Sequence, residues 1–145
     1  MRAVNILIEK TLLQVLVHAP LTKPYRILEI GAGTGSTTCY LLPHLRRGCA
    51  EYTFTDVFIA LLLEAQEKFK DYDFVEYRSL NIELEPQRQG FDCCHYDFVV
   101  ATNVFHATRD LAGTLRNTRQ LLTPGGLRSC LNQGPLPAGW ISYSA

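Results

Sequence analysis

Charge of neither sign predominates in this chain, no apolar run is long enough to span a bilayer, and the cysteines fall into no C-x-x-C pair. Each absence removes a class of function. The 14 Lys and Arg residues balance the 14 Asp and Glu residues, so no basic surplus points to a nucleic-acid partner. The apolar amino-terminal stretch, Ala3 to Val17, is interrupted by Asn5, Glu9, Lys10 and Gln14. A membrane span needs about twenty mostly apolar residues, and a signal peptide needs an unbroken apolar core before a cleavage site of small residues. A cytoplasmic location without a membrane partner is therefore expected. Cys39, Cys49, Cys93, Cys94 and Cys130 are an odd number without framework spacing, which suggests reduced thiols. Cys93-Cys94-His95 could suggest a metal, but adjacent cysteines rarely chelate one ion in good geometry and no second ligand pair completes a site. No metal is expected.

What is present is the composition of a globular domain. Of the 145 residues, 47% are apolar and 19% charged, a balance unlike that of disordered chains. The length suits a single domain that buries roughly two-thirds of its unfolded surface.

The most informative segment is Arg26-Ile27-Leu28-Glu29-Ile30-Gly31-Ala32-Gly33-Thr34-Gly35, an apolar strand running into a glycine-rich turn. A second apolar strand, Tyr52 to Thr55, ends on Asp56. Strand, bare turn, helix and then an acid at the end of the next strand make half of a nucleoside-binding site. Glycines let the backbone approach the ligand, and the acid can accept hydrogen bonds from both ribose hydroxyls. A dinucleotide wants G-x-G-x-x-G, with the third glycine opening a helix that faces a pyrophosphate. Here the spacing is G-x-G-x-G, and Ser36 stands where that third glycine belongs. The site favours S-adenosylmethionine, which carries no phosphate, over the nicotinamide dinucleotide of an oxidoreductase with the same fold.

Helical spacing of Ile6, Leu7, Leu12, Leu13, Leu16 and Val17 predicts a first helix over residues 3 to 18. Strands follow at 26 to 30, 52 to 55, 74 to 77 and 96 to 101, with helices expected at 35 to 46, 59 to 69 and 109 to 122. Residues 84 to 89 read as a loop, and Pro124-Gly125-Gly126 as a tight turn into a last apolar stretch, 127 to 131. Strands alternating with helices imply an α/β fold: a doubly wound, Rossmann-like parallel sheet of about five strands. Its ligand site lies at the carboxyl ends of the strands. Residues 1–131 are expected to form the domain, and 132–145, without periodicity, an irregular tail that leaves the sheet an exposed edge.

With these segments placed, the chain resembles a class I S-adenosylmethionine-dependent methyltransferase, and more narrowly the C-methyltransferase domain of polyketide synthases. The resemblance rests on Ile27 to Gly35, on Tyr52 to Asp56, and on Gln89-Gly90-Phe91 ahead of Tyr96-Asp97. It rests also on Ala101-Thr102-Asn103-Val104-Phe105-His106-Ala107-Thr108 and on Leu121 to Gly126. It implies roles for individual residues. Glu29, Gly31, Gly33 and Gly35 match the motif that cradles the methionine portion of S-adenosyl-L-methionine, and Asp56 the ribose-binding acid. Asn81 and Ile82 match the segment beside the adenine, where the family usually has aspartate; asparagine keeps an acceptor there but not the charge. Asn103 would face the sulfonium end, and His106 matches the catalytic histidine. The implied substrate is a β-ketoacyl thioester on an acyl carrier protein, with other synthase domains as possible partners. Its α-carbon proton is weakly acidic, and a histidine can take it near neutral pH.

Departures from the family are expected to matter. The glutamate that partners the histidine aligns with Asn132, which can orient an imidazole but cannot stabilise its protonated form as a carboxylate does. Arg128 and Ser129 interrupt a strand that should be apolar. The family's last helix, its final two strands and most of its helical lid have no counterpart in this sequence. Two functions are therefore carried forward: a C-methyltransferase domain, and an impaired, truncated remnant that binds cofactor or a partner without turnover.

Overall fold

The computed structural model describes residues 9–10, 12–14, 17, 23–102 and 108–131, with residues 102 and 126–131 described by backbone alone. Alternation of side chains along Tyr25–Ile30 (β1) explains the layering. Ile27 faces one apolar cluster with Leu41, Leu42, Tyr52, Phe54, Leu62 and Phe98. Leu28 and Ile30 face a second with Leu80, Ile82, Val99, Ala101 and Leu121. A strand with apolar residues on both faces can only be central in a sheet covered on both sides, and β1 is central.

The remaining strands are Ala50–Asp56 (β2), Val75–Ser79 (β3), Tyr96–Thr102 (β4) and Leu122–Leu131 (β5). The sheet order is β3-β2-β1-β4-β5, and every pairing is parallel. The chain winds outward from β1 to β3 and then returns to β1's other side with β4. That reversal puts a crevice between the carboxyl ends of β1 and β4. Asp97 ties the amino ends together: its Oδ2 accepts the Arg26 amide at 2.9 Å.

Helices Ser36–Leu41 (α1) and Ile59–Lys68 (α2) supply Leu41, Leu62 and Ala65 to the first cluster, and Leu111–Leu121 (α3) supplies Leu121 to the second. The helix expected over 35 to 46 is shorter. Pro43 cannot donate to the Cys39 carbonyl and its ring crowds it, so the chain tightens into a 3-10 turn over Leu42–His44. Asp110 caps α3, its side chain accepting the Gly113 amide at 3.1 Å. The segment expected as a loop at 84 to 89 also holds a 3-10 turn, Pro86–Gln89. β3 lies slightly later than expected because β2 runs on to Asp56, which pairs with Ser79.

The carboxyl-terminal strand corrects the expectation most. Leu122, not residue 127, begins β5, and Pro124-Gly125-Gly126 belongs to the strand. Leu122 pairs with Tyr96 and Leu127 with Phe98, so extra residues are accommodated as an irregularity opposite Asp97. Gly125, at φ 79°, permits the excursion. Of the helix expected over 3 to 18, the described residues Glu9, Lys10, Leu12, Leu13, Gln14 and Val17 are helical. Leu12 is fully buried in the first cluster, and Glu9 meets His44 at 2.7 Å. Asn132 and the tail over 132–145 lie outside the described residues. Among the described residues, no helix is long and apolar enough to cross a membrane.

Candidate cofactor site

The topology brings three of the segments singled out in the sequence to one end of the sheet: Gly31 to Gly35 after β1, Asp56 closing β2, and Asn81-Ile82 after β3. Asn103 and His106, which follow β4, lie outside the described residues.

The glycine loop is held by β2. The Ala32 amide donates to the Thr55 carbonyl at 2.9 Å, and Thr55 Oγ1 donates to the Glu29 carbonyl at 2.6 Å. Asp56 Oδ2 accepts the Gly33 amide at 2.9 Å, while Oδ1 accepts the Phe58 amide at 3.0 Å. Gly33 and Gly35 both lie in the left-handed region, at φ 59° and 81°, where a Cβ is disfavoured. Their surroundings differ. A Cβ on Gly35 would stand 2.7 Å from Phe69 Cε2, whereas one on Gly33 would meet, among the described residues, only the Gly31 carbonyl, at 4.0 Å. The loop packs on the core through Gly35 and leaves open space at Gly33.

Glu29 stands in the core beneath the loop, with none of its surface exposed. Its Oε2 accepts the hydroxyls of Thr38 and Tyr52, each at 2.5 Å, and among the described residues Oε1 has no hydrogen-bond partner. Burial raises its pKa to about 7, against the two hydroxyl donors, which lower it; Asp56 adds a smaller upward push. Burial, followed by the charge of Glu29, likewise raises the Tyr52 phenol well above its usual range. A carboxyl in this position supports the loop from below, and near neutral pH it is divided between its charged and neutral forms.

Past β3, the loop carrying Asn81 and Ile82 is fastened by two side-chain amides. Gln89 Oε1 accepts the Asn81 amide at 2.8 Å, and Gln89 Nε2 donates to the Asn81 carbonyl at 2.9 Å. Asn117, on α3, donates to the Ile82 carbonyl at 2.9 Å and to the Leu84 carbonyl at 3.2 Å. Asn81 Oδ1 accepts the Glu83 amide at 3.1 Å, and Glu83 Oε1 accepts the Arg109 amide at 2.7 Å. The Asn81 acceptor is thus already engaged within its own loop. Sequence reasoning missed Thr38, Tyr52, Gln89 and Asn117 as supports. Only Tyr52 carried a signal, since its alternation along β2 puts it on the same face as Phe54 and the first cluster.

Among the described residues, no three His, Cys, Asp or Glu side chains are grouped to hold a metal. Beside Asp56 the surface is apolar: Val57, Phe58, Ile59 and Leu63 are all exposed.

Residues 28–127, from β1 into β5, match the profile of a methyltransferase domain. The chain belongs to the methyltransferase domain family. Other comparisons narrow the neighbourhood of this methyltransferase domain. It is 45% identical over 120 residues to the hybrid PKS-NRPS synthetase thnA of Trichoderma harzianum, an alignment covering 80% of this chain and 3% of that protein. Among solved structures, the CurJ carbon methyltransferase superposes with a TM-score of 0.85 at 47% identity, covering 87% of this chain and 34% of that one. The trans-methyltransferase CalH, solved in complex with SAH, gives a TM-score of 0.69 at 44% identity over 80% of this chain and 33% of that one. The methyltransferase domain described here thus spans a small part of that synthetase and about a third of each solved chain.

Proposed function

We propose that this chain is the cofactor-binding part of an S-adenosyl-L-methionine-dependent C-methyltransferase that methylates the α-carbon of a β-ketoacyl thioester in polyketide biosynthesis. The observation that carries the proposal is its likeness to the CurJ carbon methyltransferase, 47% identical with a TM-score of 0.85 over 87% of this chain. The residues present fit the cofactor. The open side of the loop lies at Gly33, and the exposed apolar side chains of Val57 and Phe58 flank the acid. Asp56 spends one lone pair of each oxygen on a backbone amide, which leaves acceptor capacity for ribose hydroxyls.

When bound, the cofactor supplies an electrophilic methyl group on a sulfonium sulfur. The chain's residues would do the rest. Asp56 fixes the glycine loop and accepts from the ribose; Glu29 holds the floor beneath Gly31, Gly33 and Gly35. By the resemblance, Asn81 and Ile82 would serve the base and Asn103 the sulfonium end. His106 would remove the α-proton, and its imidazole would carry that proton as the carbon nucleophile attacks. The substrate would arrive on an acyl carrier protein, alongside other synthase domains. The loop and acid serve cofactor binding under either reading; the likeness to carbon methyltransferases favours an enzyme over a remnant without turnover.

The test is methyl transfer from labelled S-adenosylmethionine to a β-ketoacyl pantetheine thioester, beside calorimetric titration with S-adenosylhomocysteine (SAH). SAH binding is expected of this chain, and methyl transfer of the enzyme of which it is the cofactor-binding part. His106→Ala should lose methyl transfer while keeping SAH affinity near wild type. Failure to bind SAH would sink the cofactor assignment; binding without transfer to any thioester would favour the remnant.

A further inference from the structure

Residues 92–95 form the turn that delivers the chain into β4, at the opposite end of the sheet from the glycine loop. Cys93 and Cys94 are both exposed there, and their Sγ atoms lie 3.4 Å apart. Cys94 has φ 56°, the single positive φ at a non-glycine residue among the described residues. That conformation is disfavoured for a side chain with a Cβ, and it is held from outside. The Cys94 amide donates to the Gln120 carbonyl at 2.8 Å, and the His95 amide to the Leu121 carbonyl at 3.1 Å. The last turn of α3 therefore pins the backbone at Cys94 and His95, where the two thiols lie side by side. Methyl transfer as proposed above makes no use of them.

We propose that Cys93 and Cys94 form a reversible dithiol site that closes to a disulfide between adjacent residues on meeting a small-molecule disulfide. In the first step the Cys94 thiolate attacks one sulfur of the reagent, forming a mixed disulfide and releasing one thiol. The Cys93 thiolate then attacks the Cys94 sulfur and releases the second. The protein loses two hydrogens and two electrons, and one external disulfide becomes two thiols. The hydrogen bond with Cys94 holds the Cys93 thiol above its ordinary range.

Geometry makes the site a switch and not a staple. The sulfurs must move from 3.4 Å to about 2.05 Å, a short displacement. Adjacent Cα atoms stand about 3.8 Å apart, below the roughly 4.4–6.8 Å usual for disulfides, and strained disulfides are readily reduced. Cys39 and Cys49 are exposed too, but each sits on its own in sequence, Cys39 in α1 and Cys49 ahead of β2.

The experiment exposes the reduced full chain to oxidised glutathione, quenches with acid and weighs the tryptic peptide 89–109, which contains Cys93 and Cys94 and no other cysteine. The expected product is two hydrogens lighter than the reduced peptide and is restored by dithiothreitol. In Cys93→Ser or Cys94→Ser the same peptide should instead retain one glutathione. Closure should also be several-fold faster in the folded chain than in urea. A wild-type peptide that stays reduced or stops at glutathione adducts overturns the proposal. Equal closure rates in buffer and urea overturn it as well, because the clamp by α3 would then contribute nothing.

Discussion

Asp56 and Gly33 are joined by a 2.9 Å hydrogen bond from the glycine amide to carboxylate Oδ2. The acid expected to receive a ribose is therefore also the peg that fixes the loop facing the cofactor. Charge-assisted bonds of this kind contribute about 1.5–3 kcal/mol. Asp56→Ala should weaken SAH binding by at least that amount, through lost contact and a loosened loop together. Calorimetric titration checks it, and unchanged affinity would remove Asp56 from the site.

Two glycine substitutions should separate folding from binding. Gly35→Ala drives a Cβ to within 2.7 Å of the Phe69 ring at φ 81°, so it should lower the thermal unfolding midpoint sharply. Gly33→Val brings its Cβ against nothing nearer than a carbonyl at 4.0 Å among the described residues. Its cost is mainly conformational, roughly 1–2 kcal/mol, so the fold should survive while SAH binding is lost. Equal destabilisation by both would contradict the open space at Gly33.

Glu29 predicts a pH dependence. Its pKa rises from 4.5 to about 7 on folding, chiefly through burial. The folded state therefore binds more protons than the unfolded state between those values, and stability falls as pH rises through that window. At 1.36 kcal/mol per unit the loss is up to about 3 kcal/mol. Glu29→Gln should remove this slope between pH 5 and pH 8, as denaturant unfolding at several pH values would reveal. A slope that persists in the variant would assign it to another group.

Gln89 never needs to touch a ligand to matter. Its amide brackets both backbone groups of Asn81. Gln89→Ala should weaken SAH binding several-fold with little change in global stability, and Gln89→Glu, which keeps the acceptor but loses the donor, should fall between. A variant that binds SAH as tightly as wild type would show that Asn117 and the loop's other hydrogen bonds set it without Gln89.

The sheet was legible in the sequence because its signals are local. Ile27, Leu28 and Ile30 alternate between two faces, the glycines follow at once, and Asp56 ends the neighbouring strand. The supports were not legible. Glu29 meets Thr38 and Tyr52 only after a helix has folded back over β1, and Asn117 reaches Ile82 across a sequence separation of 35 residues. Residue type gives no hint of such partners. β5 differs for another reason: Pro124-Gly125-Gly126 carries every sign of a turn, yet it sits as an unpaired irregularity inside a strand whose flanking residues Leu122 and Leu127 pair with β4.

The irregularity in β5 also governs how the chain can change in length. Leu121 closes α3 and Leu122 opens β5 with no residue between them, so this junction has none of the slack that a connecting loop usually supplies. The spare length sits inside the strand, between the Tyr96–Leu122 and Phe98–Leu127 pairs. Removing a residue there should shrink the irregularity and leave the downstream register intact. Adding one between Leu121 and Leu122 would rotate α3 against the sheet. Insertions and deletions in relatives should accordingly gather at Pro124 to Gly126 and avoid the helix end.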